Sequence, residues 1–172
     1  MIKHILASLS LLLGICMTSC NSDAPESTDH HVDYTITLTA NEDLLSVADI
    51  SVSYVLGGEE KTEAVTTSPW TKTITYSEFP CIGGIIVKRS FKNGATLDKD
   101  KYDFIFTYQT DKNIVDAKGN IVSKDSNSRG SVHSEGVDKE NVKAYINRDQ
   151  TMVKALFSME AKDGTIVFSP VQ

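Results

Sequence analysis

A histidine, a serine and a glutamate lie side by side in Val132-His133-Ser134-Glu135-Gly136, the stretch of this 172-residue chain that comes nearest to a nucleophile motif. A GxSxG elbow needs its first glycine because the strand must turn sharply into a helix to expose the serine. Valine stands there instead, so the segment reads as a solvated loop. Asp98, Asp100 and Asp103 could offer carboxylate oxygens to a hard cation such as calcium. Lys99 and Lys101 interleave them, and the glycine turn and terminal bidentate acid of a calcium loop are missing, so alternating surface charge is the reading. Asp111, Asn113 and Asp116 read as turn formers, and His30-His31 as part of a spacer. The sequence holds no HExxH, no phosphate-binding glycine loop and no dinucleotide fingerprint. No catalytic residue, no metal site and no cofactor is therefore expected, and the chain is read as a non-enzyme.

The cysteine with a recognisable chemistry is Cys20. Lys3 and His4 form a short basic start, Ile5 to Ile15 an apolar run, and Thr18-Ser19 a small pair directly before the thiol. This is the pattern of a bacterial lipoprotein signal, in which residues 1–19 are removed and Cys20 becomes the acylated first residue. Each buried methylene of such an anchor adds roughly 0.8 kcal/mol of membrane affinity, enough for a stable attachment. About 11 apolar residues are too few to cross a hydrocarbon core that needs roughly 20. An ordinary secretory signal cleaved nearby is the rival reading, and it would leave Cys20 as an odd thiol.

From Asn21 to His31 the segment NSDAPESTDHH has almost no apolar residue and reads as a flexible tether spanning 20–31 with the lipid cysteine. Residues 32–172 are then one domain. The leader carries one lysine and no acid, so its removal takes the formal charge from −6 to −7, which argues against a nucleic-acid or anionic-lipid surface. Cys81 is the remaining thiol, so no disulfide forms within the monomer; it is expected buried and inert.

The elements that must position any site read as strands. Val32, Tyr34, Ile36, Leu38 and Ala40 alternate with polar residues, and Ile50 to Leu56 does the same before Gly57-Gly58, a hairpin signal. Trp70 to Tyr76 resumes the alternation after Pro69. Ile82 to Phe91 is apolar on both faces, as in a central strand, with Gly83-Gly84 permitting a bulge or close backbone approach. Tyr102, Phe104, Phe106 and Tyr108 share one face of the clearest strand. A small hairpin joins Ile114-Val115 to Ile121-Val122, and a C-terminal hairpin turns at Lys162-Asp163-Gly164. One short helix is predicted near 138–147, capped by Asp138 and stapled by Val137 and Val142. The sum is an all-β, antiparallel, immunoglobulin-like β-sandwich of about seven to eight strands, with a small open barrel as the alternative.

Three groups could contact a ligand. Trp70 sits at a strand edge, where it either closes the core or projects as an anchor. The stretch Ser123 to Gly136 has one valine among 14 residues and reads as a long polar loop, either solvated or used for recognition. Arg129 and His133 are the groups within it most able to make directional contacts. The aromatic row from Tyr102 to Tyr108 is assigned to the core.

With the leader and this strand pattern together, the chain resembles the small lipoproteins of gut Bacteroidota that carry an immunoglobulin-like domain. The likeness rests on Thr18-Ser19-Cys20-Asn21, on ISVSYVLGGEEKTEAVTTSPWTK from Ile50 to Lys72, and on LDKDKYDF from Leu97 to Phe104. Asp23, Glu26 and Asp29 are similar to the acidic export signals of surface lipoproteins in that group. The resemblance implies an outer-membrane, lipid-anchored protein facing the cell surface. The expected function is a binding or adhesion module for a glycan or protein; the alternative is a structural or assembly subunit of the envelope, such as a pilus-associated one. A long uncapped edge strand would favour assembly, and an exposed cluster around Trp70 or tyrosines would favour ligand binding.

Overall fold

The computed structural model describes residues 29–171, with the side chains of 126–128 left aside; Cys20, the leader and most of the tether lie outside the described residues. The chain runs β1 (His31–Ala40), α1 (Glu42–Val47), β2 (Ala48–Leu56), β3 (Glu59–Ala64), β4 (Trp70–Tyr76), β5 (Cys81–Phe91), β6 (Lys101–Val115), β7 (Ile121–Asp138), a 3-10 turn (Lys139–Asn141), α2 (Val142–Arg148), β8 (Thr151–Lys162) and β9 (Thr165–Pro170). The strands form two antiparallel sheets, ordered β4-β1-β6-β7 and β3-β2-β5-β8-β9. This is an all-β sandwich, as the alternating pattern predicts. It shares its architecture with immunoglobulin domains while keeping its own strand order, since those domains pair A-B-E-D against C-F-G.

Alternation decides which residues meet between the sheets. Val32, Tyr34, Ile36 and Leu38 of β1 are at most 1% exposed, and so are Tyr102, Phe104 and Phe106 of β6. Facing them are Ile50 and Val52 of β2, Ile85 and Val87 of β5, and Phe157 and Met159 of β8, all buried. Tyr34 meets Phe157 edge-on at 5.1 Å, and Phe104 stacks on Tyr145 of α2 at 5.3 Å, packing worth roughly 0.5–1.5 kcal/mol per pair beyond burial. Among the described residues the buried core runs from Val32 to Ile166.

Three local features depart from the sequence reading. The stretch expected as a polar loop, 123–136, is most of β7, an edge strand hydrogen-bonded to β6 from Lys101↔Asp138 to Val115↔Ile121. Its polar composition reflects an edge position whose outer face meets water, so it shows little of the apolar alternation of a half-buried strand. With β7 counted, the strands among the described residues number nine. The predicted helix starts later, at Val142. Asp138 makes no capping hydrogen bond, because it ends β7 and pairs with Lys101 at 3.5 Å. Finally, α1 is a short helix not anticipated. Asn41 caps it by accepting from the Leu44 amide at 3.3 Å, and Leu44 and Val47 are buried beneath it.

Candidate functional site

The expected ligand contacts separate in the folded chain. Trp70 begins β4 opposite Leu38, lies on the inner face and packs half-buried against the core. Arg129 and His133 lie on the outer face of β7, where alternation turns both to water. Among these three, then, Arg129 and His133 share a surface and Trp70 does not. His133 pairs with Glu135 at 3.2 Å within one strand, so the His-Ser-Glu sequence forms no elbow.

Arg129 belongs to a groove that no local sequence signal marks. Cross-strand register aligns Thr37, Gln109 and Arg129 in one row, and Thr39, Thr107 and Ser131 in the next. Neighbours within a row stand about 4.8 Å apart and the rows about 6.6 Å apart, the spacings of adjacent strands and of alternate residues. These six side chains line a shallow depression of about 390 Å³ on the outer face of the four-stranded sheet. The hydroxyl surface continues toward β4, where Thr35 and Thr73 bond at 2.9 Å and Thr75 donates to Asp33 at 2.7 Å. The exposed Arg129 guanidinium forms no hydrogen bond or ion pair among the described residues, while Gln109 donates to Asp111 at 3.1 Å. Behind the groove, the Tyr108 ring packs on Gly130: a Cβ there would lie 2.3 Å from its Cε1. Tyr108, placed in the core with its three neighbours by sequence, is thus half-buried and braces the sheet edge.

A second concavity lies at the end of the sandwich holding the β2–β3 turn and the β4–β5 connection. Its volume is about 570 Å³, and its walls include Tyr54, Leu56, Ile82, Ile86 and Leu156. Gly84 shapes it. At φ 114°, with an added Cβ only 2.0 Å from the Ala155 carbonyl oxygen, the position admits no side chain. The glycine pair read from sequence as permitting close approach does so here. Tyr76 also lines the recess, its hydroxyl buried and without a hydrogen bond of normal geometry although near the Gly84 amide. Burial raises its pKa well above the usual tyrosine value, against a smaller lowering by that amide. Tyr54, by contrast, donates to Glu63 at 2.5 Å, and Glu63 also pairs with Lys72. Cys81, expected buried, is half-exposed at the recess wall, and burial foremost, with the charge of Glu78, pushes its thiol up to about 11.

The acidic positions act locally. Asp98 accepts from the Tyr102 hydroxyl at 3.2 Å, Asp103 accepts from the Gly136 amide at 2.8 Å, and Asp116 accepts from the Lys118 and Asn120 amides at 2.9 and 2.8 Å in the β6–β7 turn. Among the described residues no three His, Cys, Asp or Glu side chains converge as metal ligands would. No helix among them is long and apolar enough to cross a membrane.

Fold and site together define a β-sandwich whose concavities include two of opposite character, the polar groove and the apolar recess. Compared with known proteins, the chain matches no protein-family model, no curated protein and no solved structure.

Proposed function

We propose that this protein is an outer-membrane lipoprotein, anchored through Cys20 and facing the cell surface, that binds a glycan without chemical turnover. The observation that carries the reading is the groove of Thr37, Thr39, Thr107, Gln109, Arg129 and Ser131, a set of hydroxyl, amide and guanidinium groups on a rigid sheet. Such groups present donors and acceptors at fixed spacing to a polyhydroxylated ligand, and a guanidinium adds bidentate recognition of any carboxylate or sulfate it carries. The small-pair cysteine motif at Thr18-Ser19-Cys20 and the acidic residues after it support the address. The test is a glycan array probed with the chain from Asn21 to Gln172. Binding lost in Arg129→Ala and retained in Trp70→Ala supports the reading; no binding to any glycan overturns it.

A second reading, assembly through strand addition, is favoured by the 18-residue β7, which lies at a sheet edge. An extended partner segment could take its outward backbone groups. The register shifts along β6–β7 and the charges on β7 oppose casual pairing. Mixing with envelope extracts and crosslinking from residues in β7 would reveal such a partner, and Ser131→Pro would remove a donor from the strand.

A further inference from the structure

The recess at the β2–β3 end is separate from the sheet-face groove: the two share no residue, the groove lying on the outer face of the four-stranded sheet and the recess being walled by the end of β4 together with β2 and β5 of the other sheet. We infer that it binds a small amphiphile with an apolar body and a positively charged amine. Two observations point to this ligand chemistry. The volume, about 570 Å³, lies within the range of sites for small organic molecules, and the walls formed by Leu56, Ile82, Ile86 and Leu156 are apolar. Leu56 is 40% exposed, an apolar surface that a ligand would take out of water.

Charge then selects among apolar ligands. Glu60 and Glu78 line the recess and are exposed, and neither has an ion-pair partner among the described residues. The neighbouring acids differ: Glu59 pairs with Lys61 and Glu63 with Lys72, so the cations nearby are already used. Among the described residues no lysine or arginine lines the recess. An ammonium group is therefore attracted and a carboxylate repelled. The Tyr54 ring is buried and already taken by the Lys72 ammonium, 4.9 Å from its centroid, so Glu60 and Glu78 are the groups left to attract a ligand cation.

The Tyr76 hydroxyl does not add to this selection: it is buried beneath the recess wall near the Gly84 amide, closed to a ligand.

The test compares two probes with the same tail and opposite charge, octylammonium and octanoate, both below micelle formation. The protein is the chain from Asn21 to Gln172, which contains every core residue among those described, Val32 to Ile166, and in which Cys81 is the sole thiol. Calorimetric titration is expected to show octylammonium binding at least about fivefold more tightly than octanoate, with the preference erased in Glu60→Gln/Glu78→Gln. Alkylation of Cys81 should slow when octylammonium is bound, which locates the probe. Both glutamates are exposed, so circular dichroism of the variant should match that of the parent. Equal binding of the two probes overturns the charge assignment. Failure of both to bind, or binding without protection of Cys81, overturns the site. None of these outcomes bears on glycan binding by the groove.

Discussion

The sheet-face groove and the end recess are built from the same alternation but from opposite sides of it. The groove uses outward-facing residues of β1, β6 and β7, so its side chains are threonine, serine, glutamine and arginine, and its position is fixed by register alone. The recess opens where strands end and the inner face runs out, so core-type side chains such as Tyr54 and Tyr76 meet the outer-face residues Ile82 and Ile86. The difference shows how one sandwich can hold a polar platform set by register alone and an apolar pocket closed by a turn and a short connection. Each also depends on one glycine, Gly130 behind the groove and Gly84 in the recess wall.

Those glycines give the sharpest way to break the comparison. Gly84→Ala places a methyl against backbone that cannot move aside and requires φ 114° of an L-residue. It should cost about 3 kcal/mol in urea unfolding and abolish any recess ligand. Gly130→Ala meets a half-exposed tyrosine ring that can rotate away, so the expected loss is about 1 kcal/mol, with glycan binding weakened and the recess unaffected. Arg129→Ala should leave stability within about 0.5 kcal/mol while removing glycan binding. For the anchor, labelling of cells with an alkyne-bearing fatty acid should be lost in Cys20→Ala with neither surface altered.

A pH titration sharpens the comparison in a different way, because neither surface holds the carboxylates involved. Burial acts to raise the pKa of Asp43, but the hydrogen bond from Lys99, the Asp103 amide and the Lys99 charge outweigh it and hold it below the usual aspartate range. The Asn120 side chain and amide, then the Lys118 amide, lower Asp116. A carboxylate whose folded pKa is lowered contributes stability above its unfolded pKa and loses it as pH falls through the folded value. Stability should therefore decline below about pH 4, and Asp43→Asn should flatten that decline, as followed by thermal unfolding at several pH values.

How much of this was legible depends on which residues face the core. The strands β1, β2, β6 and the two hairpins at Gly57-Gly58 and Lys162-Asp163-Gly164 were readable because their inner residues alternate strongly and their turns carry glycine. β7 was not, since an edge strand with a hydrated outer face needs no apolar pattern, and its serines and charges imitate a loop. α1 is one and a half turns, too short for a helical period; its signature is the Asn41 cap. Asp138 had the chemistry of a cap but was already committed to the end of β7 and Lys101. Arg129 was found by its type within a polar stretch. Its groove partners Thr37, Thr39, Thr107 and Gln109 were not, because only pairing between distant strands brings them together. The recess was likewise hidden, apart from the hint of Gly83-Gly84.

The most direct test is amide chemical-shift mapping of the chain from Asn21 to Gln172, labelled with nitrogen-15, during titration with the strongest glycan from an array. The account predicts shifts concentrated at Thr37, Thr39, Thr107, Gln109, Arg129 and Ser131, with Leu56, Ile82 and Ile86 unchanged. Shifts confined to the recess, or around Trp70, would contradict it.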